Sequence, residues 1–77
     1  MNVQAYVFVT TGNLGAKRVV VHVRRVPGVL RADALFGAPD IMALIEGESI
    51  DQLDQVIDGI GALDGVVESE TKIIRWV

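Results

Sequence analysis

The chain has 77 residues, no cysteine and one histidine, so neither disulfides nor a Cys/His zinc site can staple it, and it is one small domain. A chain of this size hides only roughly 60% of the surface its unfolded form exposes, yet 51% of its residues are hydrophobic; pairing with other copies is the remaining way to bury the surplus. Ten acidic against seven basic residues leave a net charge of −3, which argues against broad attraction to a nucleic-acid backbone. No apolar run reaches membrane-spanning length and Met1-Asn2-Val3 lacks the basic start of a secretory signal, so a cytoplasmic location is expected.

Residues 3–11 read as the first strand, with Val3, Ala5, Val7 and Val9 on one side and Tyr6 and Phe8 on the other. Both sides are apolar, so this strand expects cover on both faces. Gly12-Asn13 turns the chain, with Asn13 as a helix N-cap, and a helix is predicted to run to about Val26. Ala16, Val19, Val20, Val23 and Val26 share one arc of it, and Lys17, Arg18, Arg24 and Arg25 fall outside. Val21 stands on the polar side, as a contact patch or as a solitary exposed valine.

Pro27-Gly28 stops the helix, and a second strand is predicted over 29–36. Gly37-Ala38-Pro39 forms a hairpin turn into a third strand over 40–46, apolar on both sides at Ile41 to Ile45. Ser49-Ile50-Asp51-Gln52 is a capping box for a second helix, in which Gln52 reaches back to Ser49. A fourth strand is predicted from Val66 to Val77.

A duplication underlies this order. At an offset of 37 residues Pro27-Gly28-Val29 falls on Asp64-Gly65-Val66, Tyr6-Val7-Phe8 falls on Ala43-Leu44-Ile45, and the five apolar helix positions fall on Leu53, Val56, Ile57, Ile60 and Leu63. Two βαβ units in tandem are the pattern of a ferredoxin-like α+β sandwich, an antiparallel sheet with both helices on one face. The other face remains apolar, and a second subunit's sheet is expected to cover it, giving a dimeric α/β barrel. Lys17, Arg18, Arg24, Arg25 and Arg31 accompany the first helix while Asp51, Asp54, Asp58 and Asp64 accompany the second. These are either two ordinary solvated helix faces or complementary bands that favour contacts between copies.

The run Val26-Pro27-Gly28-Val29, then Phe36-Gly37-Ala38-Pro39-Asp40, Leu63-Asp64-Gly65-Val66 and Ser69-Glu70-Thr71-Lys72-Ile73 resembles the effector-binding domain of Lrp/AsnC transcriptional regulators, the RAM domain. The resemblance covers nearly the whole chain. With two residues ahead of the first strand and no helix-turn-helix, the sequence is similar to the stand-alone members. The resemblance implies a non-enzymatic module that binds amino acids or related small molecules at interfaces of a homo-oligomer, and that can co-assemble with full-length regulators without touching DNA. It implies ligand-binding roles for Gly37 and Asp40 of the Gly-x-x-Asp hairpin and for Thr71, with Ser69 in the second hydroxyl position. Pro39 replaces the aromatic residue that regulators frequently carry before the aspartate.

An amino acid presents an ammonium and a carboxylate. Asp40 can accept from the first, while the Gly37 and Ala38 amides with the Ser69 or Thr71 hydroxyl can donate to the second. The same four turn residues also make a purely structural hairpin, with glycine for positive φ, proline for fixed φ and aspartate for a nearby amide. An enzyme on this fold would rest on His22, a residue at the border of the first helix's apolar arc with no nucleophile beside it. Tyr6, Phe8, Phe36 and Trp76 are read as core or dimer-seam packing in preference to a ligand-lining group. The pairs Glu46/Glu48 and Glu68/Glu70 are read as solvated edges, Thr11-Gly12-Asn13 is compatible with an ACT-type ligand loop, and no metal site or cofactor is expected.

Overall fold

The computed structural model describes residues 2–76. Strand β1 (Val3–Thr11) leads to helix α1 (Ala16–Val23), β2 (Val29–Ala34), β3 (Ile41–Gly47), helix α2 (Ile50–Gly61) and β4 (Val66–Ile73). The four strands form one antiparallel sheet in the order β2-β3-β1-β4. This is the ferredoxin-like βαββαβ sandwich.

The period-two pattern decides what the sheet buries. Ala5, Val7 and Val9 of β1, Ile41, Ala43 and Ile45 of β3 and Ala32 of β2 turn one way and are buried under Val19, Val20 and Val23 of α1 and Leu53, Val56 and Ile60 of α2. Their alternates form the second face, where Tyr6 is exposed and Phe8, Met42 and Leu44 are half-buried. Arg31 and Asp33 of β2 flank this apolar strip on one side, and Glu68, Glu70 and Lys72 of β4 flank it on the other. No helix covers it, and none of the aromatic rings belongs to the buried core.

Several boundaries differ from the expected ones. The α1 N-cap is Gly15, with no side-chain cap, rather than Asn13. The helix ends at Val23, and tighter turns, Arg25 N to His22 O and Val26 N to Val23 O at 3.1 Å each, carry the chain to Pro27. A residue preceding proline is pushed out of the helical region, which accounts for the early stop. Strand β2 ends at Ala34 and β3 begins at Ile41, because the Leu35 N–H donates to Asp40 O at 2.7 Å and closes the hairpin there. Ser49 caps α2 by accepting from Gln52 N at 3.1 Å, but the Gln52 side chain accepts from Glu48 N at 2.6 Å rather than from Ser49. Strand β4 ends at Ile73; Val77 lies outside the described residues.

The duplication is real but has two offsets. Thr11 pairs with Val66 and Ile45 with Val29, so Val66 stands 37 residues after Val29 whereas Ile45 stands 34 after Thr11. The Gly12 N to Gly65 O bond, 3.0 Å, and the Glu46 N to Gly28 O bond, 2.8 Å, repeat the same relation. An odd offset would carry buried Val7 onto the half-buried side of β3 at Leu44; the even one carries it onto buried Ile41. The second copy takes up its three additional residues between strand and helix, where Ser49 caps a helical turn that Gly12, its counterpart, has no side chain to cap.

Two further features obey the internal two-fold. Gly28 (φ 98°) approaches Val56, and Gly65 (φ 90°) approaches Val19, which is the counterpart of Val56. The edge strands each carry a bulge, β2 at Leu30 and β4 at Val67, again counterparts, and both side chains are exposed, at 53% and 70%. Among the described residues no helix is long and apolar enough to cross a membrane.

Candidate functional site

The β2–β3 hairpin, residues 35–40, stands at the end of the sheet beside the last residues of β1. Gly37 takes φ 120°, a conformation natural to glycine, and the Ala38–Pro39 peptide is cis. Asp40 is fixed from both sides. Its N–H donates to Val9 O at 2.9 Å, and its Oδ2 accepts from Thr11 N at 2.8 Å and from Thr11 Oγ1 at 3.3 Å. The carboxylate thus ties the start of β3 to the end of β1, and Oδ1 is left without a hydrogen-bond partner among the described residues.

Beside the hairpin the uncovered sheet face forms a cleft of about 440 Å³. Phe8 and Thr10 of β1 are its floor, Ala38 and Pro39 one wall, and Glu68, Glu70 and Lys72 of β4 the other. Glu70 and Lys72 form an exposed pair at 3.1 Å. Glu68 has no such partner among the described residues, so the cleft offers an acceptor at Glu68, a donor at Lys72 and an apolar floor.

Ser69 and Thr71 are placed elsewhere. They pair with Val9 and Val7, which fixes them on the helix-side face of β4, while Glu68, Glu70 and Lys72 between and around them point to the open face. Ser69 is exposed and Thr71 half-buried. Within one chain, therefore, Ala38 and Asp40 come together at the hairpin and Gly37 lies at its tip, but the two hydroxyls lie on the helix-side face of β4, away from the open-face cleft that Ala38 lines. The contributions of Thr11, Phe8 and Glu68 were not visible in the sequence. Their signal is the β1–β4 register, which period-two alternation alone does not supply.

His22 is exposed on α1, where it lines a different cleft of about 690 Å³ with Arg18, Leu14, Val21, Leu63 and Asp64. Among the described residues no three His, Cys, Asp or Glu side chains are placed to hold a metal ion. Glu46 accepts from Asn2 Nδ2 and Gln4 Nε2 at 3.1 Å each.

Comparison with known proteins places this geometry. A protein from Thermus thermophilus has the same fold, with a TM-score of 0.87, 24% identity, and coverage of 97% of this chain and 95% of that one. AsnC of E. coli follows at a TM-score of 0.84 and 21% identity, covering 97% of this chain and 52% of AsnC. A transcriptional regulator from Neisseria meningitidis, in its complex with L-Met, matches at 0.78 and 23%, covering 94% of this chain and 49% of that one. The chain thus spans about half the length of these two regulators, and at such identities the likeness is one of fold. No curated protein matches the sequence significantly. The model of the Lrp/AsnC ligand binding domain matches residues 4–75, the hairpin, both helices and all four strands included, and the chain belongs to that family.

Proposed function

We propose that the domain binds a small molecule of the amino-acid class at interfaces between its own copies in the cytoplasm, without chemistry of its own and without touching nucleic acid. The observation that carries this reading is the split of the candidate residues: Ala38 of the hairpin lines the open-face cleft whereas Ser69 and Thr71 lie on the helix-side face of β4, so a second copy is needed to bring them to one ligand. Gly37, Ala38 and Asp40 of one copy, with Oδ1 open, meet the ammonium and part of the carboxylate; Ser69 and Thr71 of a neighbour complete the donors. Family membership supports regulatory ligand binding, and the L-Met complex of the Neisseria regulator supports the ligand class. The uncovered strip of Tyr6, Phe8, Met42 and Leu44 supports sheet-to-sheet pairing. It equally supports co-assembly with full-length regulators. Net charge −3 supports the absence of direct nucleic-acid contact.

The test is thermal unfolding and solution mass with a panel of amino acids. A ligand at a hundredfold excess over Kd stabilises the native state by about 2.7 kcal/mol, and the Asp40→Asn variant is expected to lose that response while keeping its mass. A panel that leaves both stability and assembly unchanged at millimolar concentration refutes the reading.

A further inference from the structure

Independently of any ligand, we infer that the helix layer is a second self-association surface, on which two copies pack face to face about a two-fold axis running along the helices. The two helices lie side by side, as the approach of Gly59 in α2 to Val26 after α1 shows. They are counterparts under the internal two-fold, so the layer consists of two halves of matching shape. Their charges are opposite. Lys17, Arg18, Arg24 and Arg25 belong to α1 and the turn that ends it; Asp51, Asp54, Asp58 and Asp64 belong to α2 and the turn that ends it. Lys17 and Asp54 occupy equivalent positions.

All eight side chains are exposed, and the only ion pairs among the described residues, Arg31–Asp33 and Lys72–Glu70, involve none of them, although Arg24 Nε donates to Ala32 O of β2 at 2.9 Å. Each copy therefore carries an uncompensated basic half and an uncompensated acidic half. Between them lies the cleft of about 690 Å³, bordered by Leu14 and Val21, which are 44% and 42% exposed. An apolar centre with a charged rim is the anatomy of a protein–protein contact.

Symmetry then selects the arrangement. A two-fold axis along the helices sets α1 of each copy on α2 of the other, and both contacts are attractive. An axis across the helices sets α1 on α1 and α2 on α2, and both repel. Like-charge juxtaposition disfavours the second, so the occupant fitted by this surface is another copy of the same chain in one orientation. Because the sheet face is on the other side of the molecule, the two contacts are compatible, and each sheet-paired dimer offers a helix layer on both of its outer sides, so that this contact stacks dimers.

The experiment is sedimentation equilibrium of the whole chain across ionic strength. Wild type is expected to form a species of at least twice the sheet-paired mass at about 0.01 M salt. That species falls back, with at least a tenfold rise in dissociation constant, at about 1 M, where the Debye length shrinks from roughly 30 to roughly 3 Å. Wild type whose mass does not respond to salt overturns the inference without any variant. The reversals D54K/D58K and K17E/R18E, each folded by circular dichroism, are expected to lose the larger species alone and to regain it when mixed, since one then keeps its basic half beside a half of no net charge and the other keeps its acidic half beside a half of no net charge. Retention of the larger species by either variant alone, or failure of the mixture to regain it, overturns the inference.

Discussion

Gly65 is where the two copies of the βαβ unit lock together, and its replacement by alanine has an effect that can be divided into parts. At φ 90° an added Cβ meets the left-handed penalty, about 1–2 kcal/mol for an L-residue. The same Cβ would lie 2.7 Å from Val19 Cγ2 and 3.0 Å from Leu14 Cδ1. Val19 is buried and cannot retreat, so overpacking adds about 1–3 kcal/mol. Two other glycines separate these terms. Gly37 has φ 120° with nothing within 4 Å of its Cβ position, so Gly37→Ala carries the backbone penalty alone. Gly61, at the end of α2, has open space and no positive φ, and Gly61→Ala is expected to stabilise by about 0.5–1 kcal/mol. Urea unfolding of the three variants is therefore expected to rank them Gly61→Ala above wild type, then Gly37→Ala, then Gly65→Ala. If Gly65→Ala is no worse than Gly37→Ala, the close approach to α1 is not what reserves this position for glycine.

Further outcomes follow from single contacts. Asp40→Ala removes the acceptor of the Thr11 N–H and hydroxyl and is expected to lower stability by about 1–3 kcal/mol, whereas Thr11→Val removes only the longer bond and should cost about 0.5–1 kcal/mol, both read from thermal unfolding. Ser49→Ala deletes the α2 cap and is expected to cost about 1 kcal/mol, while Asn13→Ala, which caps nothing, should stay within about 0.5 kcal/mol of wild type in the same assay. Leu44→Asp places a charge in the middle of the uncovered sheet face, and the expected outcome at about 1 M salt, where contact through the helix layer is screened, is a folded monomer by light scattering.

The fold was legible because each level of the sequence agrees with the next. Apolar helix positions spaced as Val19, Val20 and Val23, repeated as Val56, Ile57 and Ile60, bury as their spacing requires. Both Gly-Val junctions begin strands. What the pattern misplaced are the places where length is decided by one hydrogen bond. Nothing in Gly12-Asn13 distinguishes a cap from a turn, and the Gly15 N to Gly12 O bond of 3.1 Å settles it in favour of the turn. Burial likewise settles the strand alignment at 34 rather than 37, a difference invisible where both faces of β1 and β3 are apolar. The site was legible in its residue types and not in its facing. Ser69 and Thr71 stand two apart, as do Glu68 and Glu70, and only the pairing with β1 decides which pair shares a side with the hairpin.

The bulges at Leu30 and Val67 bear on how far association can run. A flat, regular outer strand is a template on which further chains can add without end, and a bulge spoils it by bending the strand and increasing its twist. Both borders of this sheet carry that defence at matching points, with a bulky aliphatic side chain projecting at each. Accretion edge to edge, in the hydrogen-bonding direction, is thereby discouraged on the left and right alike. The broad surfaces above and below remain the routes of contact. An 8.3 kDa protein rich enough in apolar residues to aggregate is steered by two displaced residues away from edge-to-edge growth.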